Sequence, residues 1–318
     1  MKLTNSKAMR DADERAIHVL GIPSTLLMTN AARELAAAAL ELMGKNKSAV
    51  IFCGSGNNGG DGIGAAVYLL RRGAEIRCFL AGERAKMTED SAEMERRLLE
   101  LGGSLEDFNP EDAQIRRLTN EAGAVIDALF GIGLNSELRG KALAAVKIIN
   151  ESKAPVVSAD IASGVEADTG RILGEAVRAN ITVAFSMPKI GHLVEPGCTC
   201  CGELRVADIG IPAEILRVAE TDIFALGAGA RVKITQRTSL TGEYYYLLPG
   251  QTADDYQNCL SLGVDLETGG HVFQLRISNA QPMFERGFIT ETSGKWSKGD
   301  IYFGFTINRV FTIVKPKE

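Results

Sequence analysis

The stretch from Ser48 to Leu70, SAVIFCGSGNNGGDGIGAAVYLL, constrains the fold more than any other part of the chain. An apolar run, Ala49 to Cys53, enters a loop rich in glycine, asparagine and aspartate, and a helix-forming run from Ile63 to Arg72 follows at once. Strand, Gly-rich loop and helix in this order aim backbone N–H groups and a helix N-terminus at an anionic group. Gly54, Gly56 and Gly59 satisfy G-x-G-x-x-G, a pattern that gains weight when a strand precedes it and a helix follows. A loop that only cradled a pyrophosphate has little use for Asn57, Asn58 and Asp61. Two amides and a carboxylate can coordinate a cation, hold a ribose or handle a proton. The plainer alternative is that they make turns and cap the helix.

Elsewhere the chain alternates strands with helices. Helices are expected over Ser6 to Leu20, with Met9, Ala12, Ala16 and Val19 on one face, and over the Ala-rich Leu26 to Met43. Strands are expected at Glu75 to Leu80, Ala124 to Leu129, Pro155 to Ala159, Ile181 to Phe185 and Glu203 to Ile209. Helices are expected over Thr88 to Leu101, Pro110 to Asn120 and Lys141 to Glu151. Such alternation over about two hundred residues implies a Rossmann-like, three-layer α/β/α fold around a doubly wound parallel sheet. In such sheets the site lies beyond the C-terminal strand ends. That rule selects Asn57, Asn58 and Asp61, then Asp127 with the Gly131 to Glu137 loop, then Asp160 and Ser163, then Lys189. Each acid could instead merely cap the helix that follows it.

Four segments, GSGNNGGDG, DALFGIGL, SADIASGVEADTG and SMPKIGH, resemble in order and spacing the NAD(P)HX epimerase (YjeF N-terminal) family. The opening LGIPSTLLMTNAA and the later DIGIP extend the resemblance over roughly residues 1–218. The resemblance implies an isomerase that interconverts the R and S forms of hydrated NADH or NADPH and feeds an S-specific dehydratase. It places substrate binding at Asn57, Asn58, Gly59, Gly60 and Asp61, at Gly131, Ile132, Gly133, Leu134, Asn135, Ser136 and Glu137, and at Asp160. It places one potassium ion per subunit near Asn58, Asp127 and Ser163, an oxygen donor set that suits a hard cation. It also implies a homodimer. Epimerisation needs a group that gives up a proton and takes it back; Asp160 is the candidate, with Lys189 tuning it. His192 carries no assigned role. Where the family usually has proline in the D-I-P-S-G stretch this chain has Ala162, which leaves that loop less stiff.

About 90 residues stand apart. Twelve of the nineteen aromatic residues fall after Gly227, among them Tyr244, Tyr245, Tyr246 and the single Trp296. Val272 to Ser278, Asp300 to Ile307 and Arg309 to Val314 read as strands of a small antiparallel β domain, residues 226–318, joined to a domain of residues 1–225 by a linker from Leu226 to Ala230. Core packing is the expected use of its aromatics. The stretch after Ala219 is too short for the dehydratase that many bacterial members carry, so no dehydratase activity is expected.

Composition narrows the alternatives. A net charge of −5 argues against a nucleic-acid footprint. The charged N-terminus lacks a signal peptide's apolar core, and no 18-residue apolar run is present, so a cytoplasmic protein without membrane contact is expected. Of two rival readings, a non-catalytic scaffold has no need of Asn58, Asp127, Asp160 and Ser163 together. An NAD-dependent dehydrogenase with Glu83 on a ribose lacks a set of hydride-transfer partners.

Overall fold

The computed structural model describes residues 3–219, 225–247, 257–268, 271–280, 292 and 294–309. The chain divides into two compact units, Met1–Thr221 and Asp222–Glu318. Among the described residues no helix is long and apolar enough to cross a membrane.

The first unit opens with helices α1 (Ser6–His18) and α2 (Ser24–Met43). There follow β1 (Ser48–Cys53), α3 (Asn57–Arg71), β2 (Glu75–Leu80), α4 (Glu89–Glu100), β3 (Leu105–Asp107), α5 (Ala113–Glu121), β4 (Ala124–Ala128), α6 (Gly140–Glu151), β5 (Val156–Ala159), β6 (Ile181–Phe185), β7 (Glu203–Ala207) and α7 (Ala213–Ala219). Local chemistry explains several starts. Asn5 accepts from the Ala8 N–H, Thr88 from that of Ser91, and Asp112 from that of Gln114, each satisfying an orphaned donor of a first turn. The seven strands are all parallel, in the order β3-β2-β1-β4-β5-β6-β7. Strands β1, β4, β5 and β6 are continuously buried beyond their first residue, as a sheet covered on both faces requires. One core holds α1, α2, α3 and α4 against one face of the sheet; a second packs α5 and α6 on the other.

The strand order reverses direction between β1 and β4, so the connections leaving these neighbours diverge and open a crevice at their C-terminal ends. Glycine lets the β1 loop close on itself there. A Cβ on Gly54 would stand 2.0 Å from the Leu129 carbonyl oxygen, and one on Gly59 would stand 1.9 Å from that of Gly54.

The structure moves several expected boundaries. Helix α3 begins at Asn57, inside the glycine loop, so Asn57, Asn58, Gly59, Gly60 and Asp61 form its first turns instead of preceding it. Strand β3, three residues long, has too little apolar pattern to be seen in sequence. Val19 leaves the apolar face of α1 and is 74% exposed, because the helix ends at His18.

The second unit is a five-stranded antiparallel sheet of β8 (Ala225–Lys233), β9 (Thr238–Leu247), β10 (Cys259–Thr268), β11 (His271–Ser278) and β12 (Tyr302–Arg309), in consecutive order. Leu226 to Ala230, expected as a linker, lies inside β8, and most of Arg309 to Val314 lies outside the described residues. The register sorts the side chains into two faces. Val232, Leu240, Val264, Leu275 and Phe305 form one row straight across the sheet. The adjacent row is Lys233, Ser239, Asp265, Gln274 and Thr306. Tyr244, Tyr246, Leu262, Leu266, Ile277 and Phe303 share parity with the apolar row; Arg231, Glu243, Ser261, Glu267, Arg276 and Ser278 share parity with the polar one, interrupted by Tyr245, Val272 and Tyr302. Burial runs opposite to that of a soluble sandwich. Phe303 is 68% exposed, whereas Asp265 is 2% exposed. Core packing therefore does not account for Tyr244, Tyr246, Phe303 or Phe305, all of them exposed.

Candidate functional site

At the crevice between β1 and β4 lies a cavity of about 700 Å3. Its floor is the strand ends: Gly54 to Asn58 and Asp61 after β1, Leu129 to Leu134 after β4, Asp160 after β5, and Phe185 and Lys189 after β6. Helices α1 and α2 supply a wall, Met9, Arg10, Asp13 and Ile17 coming from one face of α1 at helical spacing. Three backbone-anchored contacts fix α1: Thr4 N donates to Pro188 O (3.0 Å), Ser6 N to Asp168 Oδ1 (2.6 Å) and Arg10 Nη2 to Ile132 O (3.1 Å).

Asp160 sits at the centre. Its backbone is left-handed, with φ of 61°, and its N–H donates to Val183 O (2.8 Å). Its carboxylate accepts from the Lys189 ammonium and from Phe185 N (3.2 Å). Lys189 is 1% exposed and also donates to Phe185 O (3.0 Å), so its charge is matched at close range by Asp160. Gly131 lies against both loops: a Cβ there would be 3.1 Å from Asn58 Oδ1 and 3.2 Å from Asp160 Oδ2.

His192, given no role by the sequence, turns out to be a buried clamp. Lys189 N donates to its Nδ1 (2.9 Å), and that acceptor leaves the proton on Nε2, which donates to Asp160 O (2.8 Å). Burial, reinforced by the Lys189 charge, lowers its pKa to about 4, so the ring is neutral at physiological pH. Between pH 6.5 and about 4 the unfolded chain takes up a proton that the folded one refuses, so stability is lost as the pH drops through that window. The expected loss is about 3 kcal/mol from 1.36 kcal/mol per pKa unit. Urea denaturation of wild type and His192→Gln at pH 7.5 and pH 4.5 measures it, the variant losing correspondingly less on acidification.

Two more carboxyls face the same cavity. Burial, then the charges of Asp160 and Asp13, raise the Asp61 pKa well above its ordinary value. Burial, with Asp160 next, raises Asp13 to about 7. The site thus holds one carboxylate paired with an ammonium and two carboxyls whose pKa burial raises, a division that general acid–base chemistry uses.

Beneath the cavity lies an oxygen-rich nest. Asp127, fully buried, accepts from Ser158 Oγ (2.7 Å) and Ser163 N (2.9 Å) on Oδ2 and from Leu129 N (3.3 Å) on Oδ1. Burial raises its pKa, partly offset by these donors. Ser163 Oγ accepts from Phe130 N (2.9 Å) and lies 3.2 Å from Phe130 O. Asn58 Nδ2 is buried without a hydrogen-bond partner.

Of the residues selected from sequence, the cavity gathers Asn57, Asn58, Asp61, Gly131, Ile132, Gly133, Leu134, Asp160 and Lys189. It does not gather Asn135, Ser136 or Glu137, which lie further along the β4 loop, nor Gly59 and Gly60, which pack inward beneath the helix start. Asp127 and Ser163 are 0% exposed and stand behind the lining. Glu83 lines the rim but pairs with Lys86 (2.6 Å). Asp13 escaped the sequence reading, although an acid beside the apolar positions Met9, Ala12 and Ala16 of α1 was the available signal.

The model of the family described as YjeF-related protein N-terminus matches residues 24–191. A second model, described as a membrane bound beta barrel domain, matches residues 215–311. Among curated proteins, a bifunctional NAD(P)H-hydrate repair enzyme of Thermofilum pendens is 39% identical over 219 residues, covering 68% of this chain and 41% of that protein. NAD(P)H-hydrate epimerases of Oenococcus oeni and Levilactobacillus brevis are 36% and 35% identical, covering 65% and 67% of this chain and 96% and 95% of those proteins. The chain therefore spans about two fifths of the bifunctional relatives and nearly all of the shorter ones. The crystal structure of yeast ynu0 superposes with a TM-score of 0.54 at 23% identity, covering 60% of this chain and 83% of that one, which shows the shared fold. By the extent of the first model and the near-complete coverage of the shorter relatives, the chain belongs to the YjeF-related N-terminal family.

Proposed function

We propose that the first unit is an NAD(P)H-hydrate epimerase, interconverting the R and S forms of hydrated NADH or NADPH. The observation that carries the reading is the Lys189–Asp160 pair set in a strand-end cavity beside Asn57, Asn58 and Asp61. A cavity of about 700 Å3 is large enough for much of a nucleotide, and the N-terminus of α3 opening onto it favours a phosphate. Asp160 is the proton-transfer group, with the Lys189 ammonium paired to it. An S-specific dehydratase consumes the product, in keeping with the bifunctional names of some relatives. The test supplies the full chain with mixed R and S hydrate, potassium and such a dehydratase. Drainage of the R form at a rate proportional to protein supports the reading; drainage no faster than without the protein removes it.

A potassium ion fits the nest behind the cavity. Half a turn of the Asn58 amide exchanges its unpartnered nitrogen for an oxygen, an assignment that geometry alone decides. Asp127, Ser163 and the Phe130 carbonyl would supply the remaining oxygens, with a single carboxylate, which suits a monovalent ion better than a divalent one. The ion would offset the buried Asp127 charge and tie the β4 loop to Asn58. The homodimer and the cytoplasmic setting stay part of this proposal.

For the second unit a different observation favours a membrane surface, against the sequence expectation of no membrane contact. Tyr244, Tyr246, Leu240, Phe303 and Phe305 of its apolar face are exposed, whereas Ser239, Ser261, Asp265 and Ser278 of the polar face are buried, with Arg231 pairing to Asp265 (3.3 Å) and Glu267 (2.9 Å) and Arg276 to Glu243 (3.3 Å). Strands of 8 to 10 residues come close to the about 9–11 that cross a bilayer in a barrel, and apolar-out, polar-in alternation is the pattern of such strands. The barrel-domain match agrees. The full chain is expected to float with phosphatidylcholine vesicles in a density gradient, and Phe303→Asp with Phe305→Asp to sink. Wild type that stays at the bottom of the gradient overturns this reading.

A further inference from the structure

The established chemistry of an enamine sets what a hydrate epimerase must do. Hydration of a dihydronicotinamide puts the proton on the β-carbon and the hydroxyl on the carbon next to the ring nitrogen. Inversion at that carbon has a simple route. The C–O bond breaks as the nitrogen lone pair forms C=N, and the hydroxyl leaves as water with a proton from a carboxyl group. Water then adds to the opposite face, its oxygen forming the new C–O bond and its spare proton passing to a carboxylate on that side. Atoms and charge balance with water as the sole co-reactant. Two faces call for two proton-transfer groups on different walls of the cavity.

Resting on the epimerase reading above, we propose that Asp13 is the second proton-transfer group, working against Asp160 across the ring. Asp160 belongs to the β5 strand end, whereas Asp13 comes from α1, a separate wall of the same cavity. The two carboxyls are close enough to feel each other's charge. Asp160 is occupied by Lys189 and Phe185 N, but no hydrogen bond or ion pair holds the Asp13 carboxyl among the described residues, which leaves it free for substrate. Helix α1 is pinned at Thr4, Ser6 and Arg10, so Asp13 is presented by a fixed element. A group that titrates close to neutrality can both give and accept a proton within one turnover. Asp13 is held there by burial and by Asp160, against the pull of Lys189. Asp61 from α3 faces the same group, its own pKa raised by burial and then by Asp160 and Asp13, and Asp90 of α4 raises it further. Arg10, Glu83 and Lys86 complete the charged lining.

The test measures R-form drainage through the S-specific dehydratase, from pH 5 to pH 9, for the full-length wild type, Asp13→Asn and Asp13→Glu. Asp13→Asn is expected to lower kcat by about 100-fold or more with KM changed less than threefold, as loss of a general acid–base group does. It is also expected to remove the inflection near pH 7 from the kcat profile, and Asp13→Glu to restore part of the rate. Thermal unfolding at pH 8 separates chemistry from folding, since removing a buried ionised carboxylate should leave Tm equal or higher. Asp13→Asn with wild-type kcat and an unchanged profile overturns the proposal while leaving the epimerase reading intact. A wild type that never drains the R form overturns both.

Discussion

Asp160→Asn is expected to reduce R-to-S conversion by about 10²–10⁴-fold, the range for loss of a positioned acid–base group. The substitution keeps the side chain's shape and its acceptor for Phe185 N, and removes only the charge and the capacity to take a proton. It also leaves the Lys189 ammonium, 1% exposed, without a counter-charge, facing only neutral acceptors in the retained amide oxygen and Phe185 O. A fall in Tm is therefore expected alongside the rate loss. The double variant Asp160→Asn, Lys189→Met tells the two effects apart: it should recover stability without recovering activity. Single-turnover measurements of R-hydrate loss check the rate, and thermal melts of the same preparations check the fold. Undiminished conversion by Asp160→Asn would leave the reaction without its central group.

Lys189→Met is expected to cost about 3–5 kcal/mol of stability, the usual consequence of deleting one partner of a buried ion pair. Methionine fills most of the same volume, so the loss comes from the abandoned Asp160 carboxylate and not from a cavity. The deficit should also be non-additive with Asp160→Asn, because both substitutions act on one interaction. Urea titrations of wild type, both single variants and the double variant at pH 7 give the whole cycle. Additive deficits would mean that the two charges do not depend on each other.

Much of the first unit was legible because strand and helix periods there are strongly marked. The runs EIRCFL and ITVAF became β2 and β6 with the expected boundaries. The strand-end rule selected Asp160 and Lys189, both of which line the cavity, without knowledge of any contact. What escaped it depended on tertiary approach. Asn57 and Asn58 look like loop residues, yet α3 starts at Asn57 because Gly54 and Gly59 let the backbone close up. His192 looks like a loop histidine, and only the return of its loop onto Asp160 gives it a partner. Asp13 lies some 150 residues from Asp160 in sequence, so no local pattern joins them. In the second unit, alternation revealed strands at Val272 to Ser278, but alternation is blind to which face meets water. The register and the burial together decide that, and they reverse the ordinary assignment.

The left-handed backbone at Asp160 also governs which replacements nature or an experimenter can place there. Only aspartate, asparagine and glycine visit a φ of 61° at small cost; a β-branched or bulky residue would be forced out of it. Alanine or glutamate scanning at this position would thus disturb the whole turn, and with it the carbonyl that His192 grips. Evolutionary drift at this position is confined in the same way. Were the activity to be lost in some descendant, the replacement expected here is asparagine or glycine, with the turn itself left standing as a fossil of the former chemistry.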